Sequence, residues 1–126
     1  MRKFFLSVLA LSTIILAGCT SITNLTPSKL PRNSTGYYQV EAAWNSRQRT
    51  IRDESMKPLV LVGNEVYEMR RVPRVENRWE TMIPVPPSVS AVRYQFKFDY
   101  YVNAIPRALP DSKTSPEFKL EIIERK

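Results

Sequence analysis

The clearest pattern in the chain is an alternation over residues 92–103. Tyr94, Phe96, Phe98, Tyr100 and Val102 fall on one face; Gln95, Lys97, Asp99 and Tyr101 fall on the other. A period of two marks a half-buried β-strand. A strand of this length predicts a bend or a bulge. Tyr38, Val40, Ala42 and Trp44 alternate in the same way over 37–45, and Trp79, Thr81, Ile83 and Val85 over 78–85. Pro84 lies inside that second stretch, which predicts an edge or a strand end. Phe118, Leu120 and Ile122 form a last strand. Residues 59–62 are a short apolar run, Gly63-Asn64 offers a turn, and Val66, Tyr67 and Met69 lead a further strand to Val72, where Pro73 ends it. Residues 47–52 are polar and read at most as a weak edge strand whose charges discourage pairing. Residues 104–116, with Pro106, Pro110 and Pro116, read as a loop. No helix is expected. Six or seven short strands with turns between them predict an all-β sandwich over residues 37–126.

Upstream the pattern changes twice. Residues 20–36 are rich in Ser, Thr, Asn and Pro without a sustained period, so residues 19–36 read as a flexible tether. Ile22, Leu25 and Leu30 are isolated there and either pack on the domain or lie on a membrane. Before them, Arg2 and Lys3 precede an uncharged apolar run from Phe4 to Leu16. A positive start, a run of that length and small residues after it describe a secretory signal over residues 1–18. The run falls short of the ~20 apolar residues that span a bilayer.

Leu16-Ala17-Gly18-Cys19 resembles the lipobox of bacterial lipoproteins. The resemblance implies that the Cys19 thiol receives diacylglycerol, that cleavage falls before Cys19, and that the new amine is acylated. Small Ala17 and Gly18 suit such a peptidase site. Two or three acyl chains hold a protein on a membrane, where one holds it only marginally. Thr20 is not the Asp that retains such proteins in the inner membrane of enterobacteria-like cells, so the resemblance implies an outer-membrane location in the cell envelope.

Composition narrows the chemistry. The 126-residue chain carries a net charge of +7 and has no histidine and one cysteine. Removing Arg2 and Lys3 with the signal leaves +5, a modest excess that needs no dedicated partner. For an exported protein the anions met first are lipid and cell-wall phosphates, so no nucleic acid is expected. Histidine-dependent triads and histidine metal sites are excluded. No calcium-loop spacing exists, so no metal or cofactor is expected. With one cysteine the domain relies on its core alone.

The layout is similar to immunoglobulin-like and early-set domains. Arg78-Trp79-Glu80-Thr81, followed by Tyr94-Gln95-Phe96-Lys97-Phe98-Asp99, resembles the glycogen- and starch-binding modules of that set. That resemblance implies sugar stacking on exposed aromatics, with Trp79, Tyr101 and Tyr37 as candidates. Core or inter-sheet packing is the favoured reading of Trp44 and Trp79, because large aromatics supply much of a small core. Arg70, Arg71, Arg74 and Arg78 cluster around Pro73. They read either as a solvated hairpin with weak local ion pairs or as an anion-binding loop. No residues assemble into a catalytic set, so no enzyme is expected. The functional expectation is a membrane-anchored, non-catalytic binding or accessory module for another envelope protein, with a glycan as the alternative ligand.

Overall fold

The computed structural model describes residues 20–124. Residues 1–18 and Cys19, and with them the signal and the lipidation site, lie outside the described residues. Ten strands follow in chain order: β1 (Thr20–Asn24), β2 (Lys29–Pro31), β3 (Tyr37–Ser46), β4 (Lys57–Val62), β5 (Glu65–Glu68), β6 (Arg70–Arg71), β7 (Arg78–Pro84), β8 (Ala91–Val102), β9 (Leu109–Thr114) and β10 (Phe118–Ile123). A 3-10 turn, Asp53–Ser55, precedes β4. One sheet has the order β1-β3-β7-β6. The other has the order β2-β10-β8-β4-β5, with β9 also on β8. The fold class is the all-β sandwich that the alternation predicts.

The alternating residues face inward as expected. Val40, Val60, Ile83, Phe96, Phe98 and Leu120 are fully buried. Trp44 stacks on Phe98, with ring centroids 4.9 Å apart, and meets the edge of Tyr100 at 5.4 Å. Phe118 leans on both Tyr94 and Phe96. Burial of each such side chain contributes roughly 1.5–3 kcal/mol, and this aromatic seam between β3 and β8 ties the two sheets together.

Three stretches depart from expectation. The supposed tether is structured: β1 pairs antiparallel with β3, Thr20 opposite Ser46 and Asn24 opposite Ala42, while β2 pairs parallel with β10. Ile22 and Leu30 pack against the core, and the Asn24 amide donates to the Tyr94 hydroxyl at 2.9 Å. The sandwich therefore begins at Thr20. The supposed proline loop contains β9, antiparallel to the end of β8. Residues 47–52 form no strand; Ile51 makes one isolated bridge to Val102.

Two crossings close the sandwich. At its start the chain leaves the first sheet after β1 and enters the second as β2. On the opposite side it leaves the second sheet after β5 and enters the first as β6, turning at Met69, which is buried and donates its amide to the Pro58 carbonyl. Each of these two sides is thus shared by one segment divided between the sheets, and the edge left free beyond them is β9, whose exposed polar residues and Pro110 discourage edge-to-edge pairing.

The expected irregularity of the long strand lies in its partner. β9 and β10 run along the same edge of β8, and their register slips by one residue between Thr114 opposite Lys97 and Phe118 opposite Tyr94. Ser115-Pro116-Glu117 holds the extra residue, a bulge. Ser115 Oγ accepts the Phe96 amide at 2.9 Å and donates to the Pro116 carbonyl at 2.8 Å.

Candidate functional site

An apolar groove of about 530 Å³ opens where β1 departs from β3. Pairing between the two stops at Asn24 and Ala42, and the chain then arches over Pro27 to reach β2. Leu25, Pro27, Leu30, Tyr37, Gln39 and Met82 line the opening. Tyr37 and Met82 are each about half exposed.

The main chain of β3 gives the groove its polar element. Even-numbered residues face β7, as the Trp44 amide bonded to the Asn77 carbonyl and the Val85 amide bonded to the Gly36 carbonyl show. Odd-numbered residues face the other way. There the Glu41 carbonyl accepts the Leu25 amide, the Glu41 amide donates to Thr26 Oγ1, and the Tyr37 carbonyl accepts from the Asn33 amide group. Gln39 lies between them, beyond the reach of β1. Its main-chain N–H and C=O face the groove without a partner among the described residues. Its side chain is turned to Glu80, donating at 2.8 Å.

A second hollow, polar and about 570 Å³, lies on the other sheet around Tyr101, with Ser55, Lys57, Asp99 and Ser112 on its rim. Tyr101 is half exposed, as its place opposite the buried face predicts. Its neighbour Tyr100 points inward. Burial pushes the Tyr100 phenol above its ordinary range, and the charge and hydrogen bond of Asp111 push the same way.

The other residues singled out in the sequence go elsewhere. Trp79 is buried, and the Arg71 guanidinium lies over its ring, 4.4 Å from the centroid. Its indole face is covered, so it offers no sugar platform. Tyr37 and Tyr101 stand on different sheets and form no stacking pair. The arginines of the β6–β7 hairpin do not converge. Arg71 is committed to Trp79, Arg78 lies 3.8 Å from Glu41, Arg70 sits opposite Glu80 in the ladder, and Arg74 occupies the turn at φ +64°. Of the groove residues, sequence reasoning gives Leu25 only a packing or membrane role and does not single out Gln39 or Met82 as ligand-binding. Nothing in the local pattern says where β1 leaves β3; only the strand register does. Among the described residues no group of three or more carboxylate, cysteine or histidine side chains is placed to hold a metal.

No protein-family model matches the chain, and no curated protein matches it. Among solved structures, one described as that of murine CRIg matches 84% of this chain and 99% of that chain, at 14% identity and a TM-score of 0.41. The assignment as a sandwich rests on the two sheets described above.

Proposed function

We propose that this chain is an exported lipoprotein, lipidated on Cys19 and held on an envelope membrane, the outer one where the cell has two. Its sandwich is a non-catalytic accessory module that binds another envelope protein. The anchor follows from the resemblance of residues 16–19 to a lipobox. The observation that carries the binding role is the open stretch of β3, where Gln39 offers an unpaired N–H and C=O inside an apolar groove. An extended segment of a partner that adds to such an edge gains main-chain hydrogen bonds, and the groove walls select its side chains. The lack of histidine and the single cysteine favour binding over catalysis.

A glycan is the second reading, favoured by Tyr101, half exposed beside Lys57, Asp99 and Ser112. One experiment separates the two. Surface-lysine cross-linking in the native envelope, read by mass spectrometry, is compared among wild type, Gln39→Pro, Met82→Asp and Tyr101→Ala. Proline at position 39 removes an outward-facing N–H, which a strand edge tolerates, together with the exposed side-chain bond to Glu80. The proposal expects one recurrent protein partner, lost in the first two variants and kept in the third. A partner that survives both groove variants, or none in wild type, counts against it. Glucan affinity in the purified protein that Tyr101→Ala lowers at least tenfold would establish the second reading instead.

A further inference from the structure

We infer that the end of the sandwich that carries the anchor is itself a docking face for anionic phospholipid. The inference rests on the reading that Cys19 is lipidated. Thr20 stands opposite Ser46 at the end of β3, and their hydroxyl oxygens lie 2.8 Å apart. Cys19 is one peptide bond from Thr20, and consecutive Cα atoms are about 3.8 Å apart. A lipid on Cys19 therefore leaves no slack between the membrane surface and this end of the fold.

Three loops meet there. The first, 47–56, follows β3. The second, 103–108, joins β8 to β9 and is tied to the first: the Asn103 amide donates to the Thr50 carbonyl, the Arg52 amide to the Tyr101 carbonyl, and the Arg52 side chain to Asn103 Oδ1. The third, 72–77, precedes β7 and is held to β3 by the Trp44 amide on the Asn77 carbonyl. They present Arg47, Arg49, Arg52, Arg74 and Arg107, all exposed and none within salt-bridge distance of a carboxylate among the described residues. Asp53, Glu54 and Glu76 are the carboxylates of the same loops. Asp53 and Glu76 line one pocket together with Arg71. Ile105, at the tip of its loop, is 100% exposed, and Leu109 just beyond is half exposed.

The opposite end differs. Its loops, 32–36, 63–64 and 85–90, hold one charged residue, Arg32, which is bonded to Glu124. An arginine-rich end with a bare isoleucine at its tip matches a surface of phosphate headgroups over acyl chains. Each cation held near an anionic bilayer favours the bound state by about fivefold, and salt weakens it. With the lipid chains already inserted, this attraction orients the domain, setting the β3 groove on the side away from the membrane.

The test uses the full-length protein, purified from membranes and reconstituted in vesicles with brominated acyl chains, of either phosphatidylcholine alone or phosphatidylcholine with phosphatidylglycerol. Fluorescence of Ile105→Trp is compared with Ser88→Trp at the far end, each after subtraction of wild type with its buried Trp44 and Trp79. The expected result is quenching of Ile105→Trp several-fold stronger in the anionic vesicles and reduced by salt, with Ser88→Trp unquenched in both. Adding Arg47→Glu, Arg49→Glu and Arg107→Glu should abolish the lipid dependence. Equal quenching at both ends, no dependence on phosphatidylglycerol, or dependence that survives the three reversals would overturn the docking face. The mass of the amino-terminal peptide reads the premise separately. An acylated Cys19 with unquenched Ile105→Trp sinks docking alone, whereas an unacylated Cys19 sinks the anchor reading first.

Discussion

Ser115 is the one polar side chain fully inside the core of the described residues. It sits where a one-residue slip between β9 and β10 interrupts the ladder along β8. Its hydroxyl meets the Phe96 amide that the bulge would otherwise strand, and its own amide donates to the Phe96 carbonyl. An unsatisfied buried donor costs about 1–3 kcal/mol. Ser115→Ala should therefore lower the unfolding free energy by that amount, with an unchanged denaturant slope, in urea titrations. A loss below a few tenths of a kcal/mol would mean that the Phe96 amide finds another partner. Single residues were unevenly legible. Tyr101 was readable as exposed because it alternates against a run of aromatics. Trp79 had two readings, and the structure places it in the core under Arg71. Ser115 carried no signal, because a bulge is defined only by the partner strand.

Among the elements, β3, β7, β8 and β10 were legible because one face of each is buried and the other is not, so the sequence alternates. β9 was not. Leu109–Thr114 is exposed at every position, so no burial constrains its residues, and Pro110 together with the flanking Pro106 and Pro116 makes the stretch read as a loop. β1 and β2 were missed for a related reason. Each is an edge strand with one large apolar residue facing in, Ile22 and Leu30, too few to make a period. What secures these weak strands is side-chain bonding at their ends. Arg32, just after β2, donates to Glu124, to the Val89 carbonyl at 2.9 Å and to the Pro86 carbonyl at 3.3 Å, while its amide donates to the Ile123 carbonyl. The hydrogen bond from Arg32 holds the Glu124 carboxyl below its ordinary range. Partial desolvation opposes this, and the guanidinium charge adds to it. A carboxyl whose folded pKa is depressed stabilises above its unfolded pKa, and that contribution fades as pH falls through the folded value. The end of β2 should then fray in acid, read as faster hydrogen exchange at the Arg32 amide after correction for intrinsic rate. In Glu124→Gln the acid dependence should vanish. Because Glu124 is mostly exposed, the effect is modest and should shrink in high salt.

For the whole molecule, the proposed anchoring at Cys19 with β1 beginning at Thr20 leaves no tether before the fold, and this decides what the protein is able to reach. Gln39 stands seven residues along β3 from Ser46, roughly 23 Å at the usual rise per residue in a strand. On the proposed anchoring at Cys19, Thr20 lies at the membrane, the groove is held at about that height, and the proposed partner must come to it. This geometry requires residues 20–36 to be part of the sandwich, where the composition alone suggested a flexible leader. The two readings differ in stability. If the segment is integral, a fragment beginning at Thr20 unfolds cooperatively. A fragment beginning at Tyr37 loses Ile22 and Leu30 from the core, the Asn24–Tyr94 bond, and the cover on both β3 and β10. Small domains have only about 5–15 kcal/mol of stability, and two lost aliphatic contacts at roughly 1.5–3 kcal/mol each, with the exposed edges added, consume much of it. Urea unfolding followed by circular dichroism should show the shorter fragment with a sharply lowered midpoint or no folded baseline. Equal midpoints would return residues 20–36 to the role of a leash, and the fixed height of the groove would go with it.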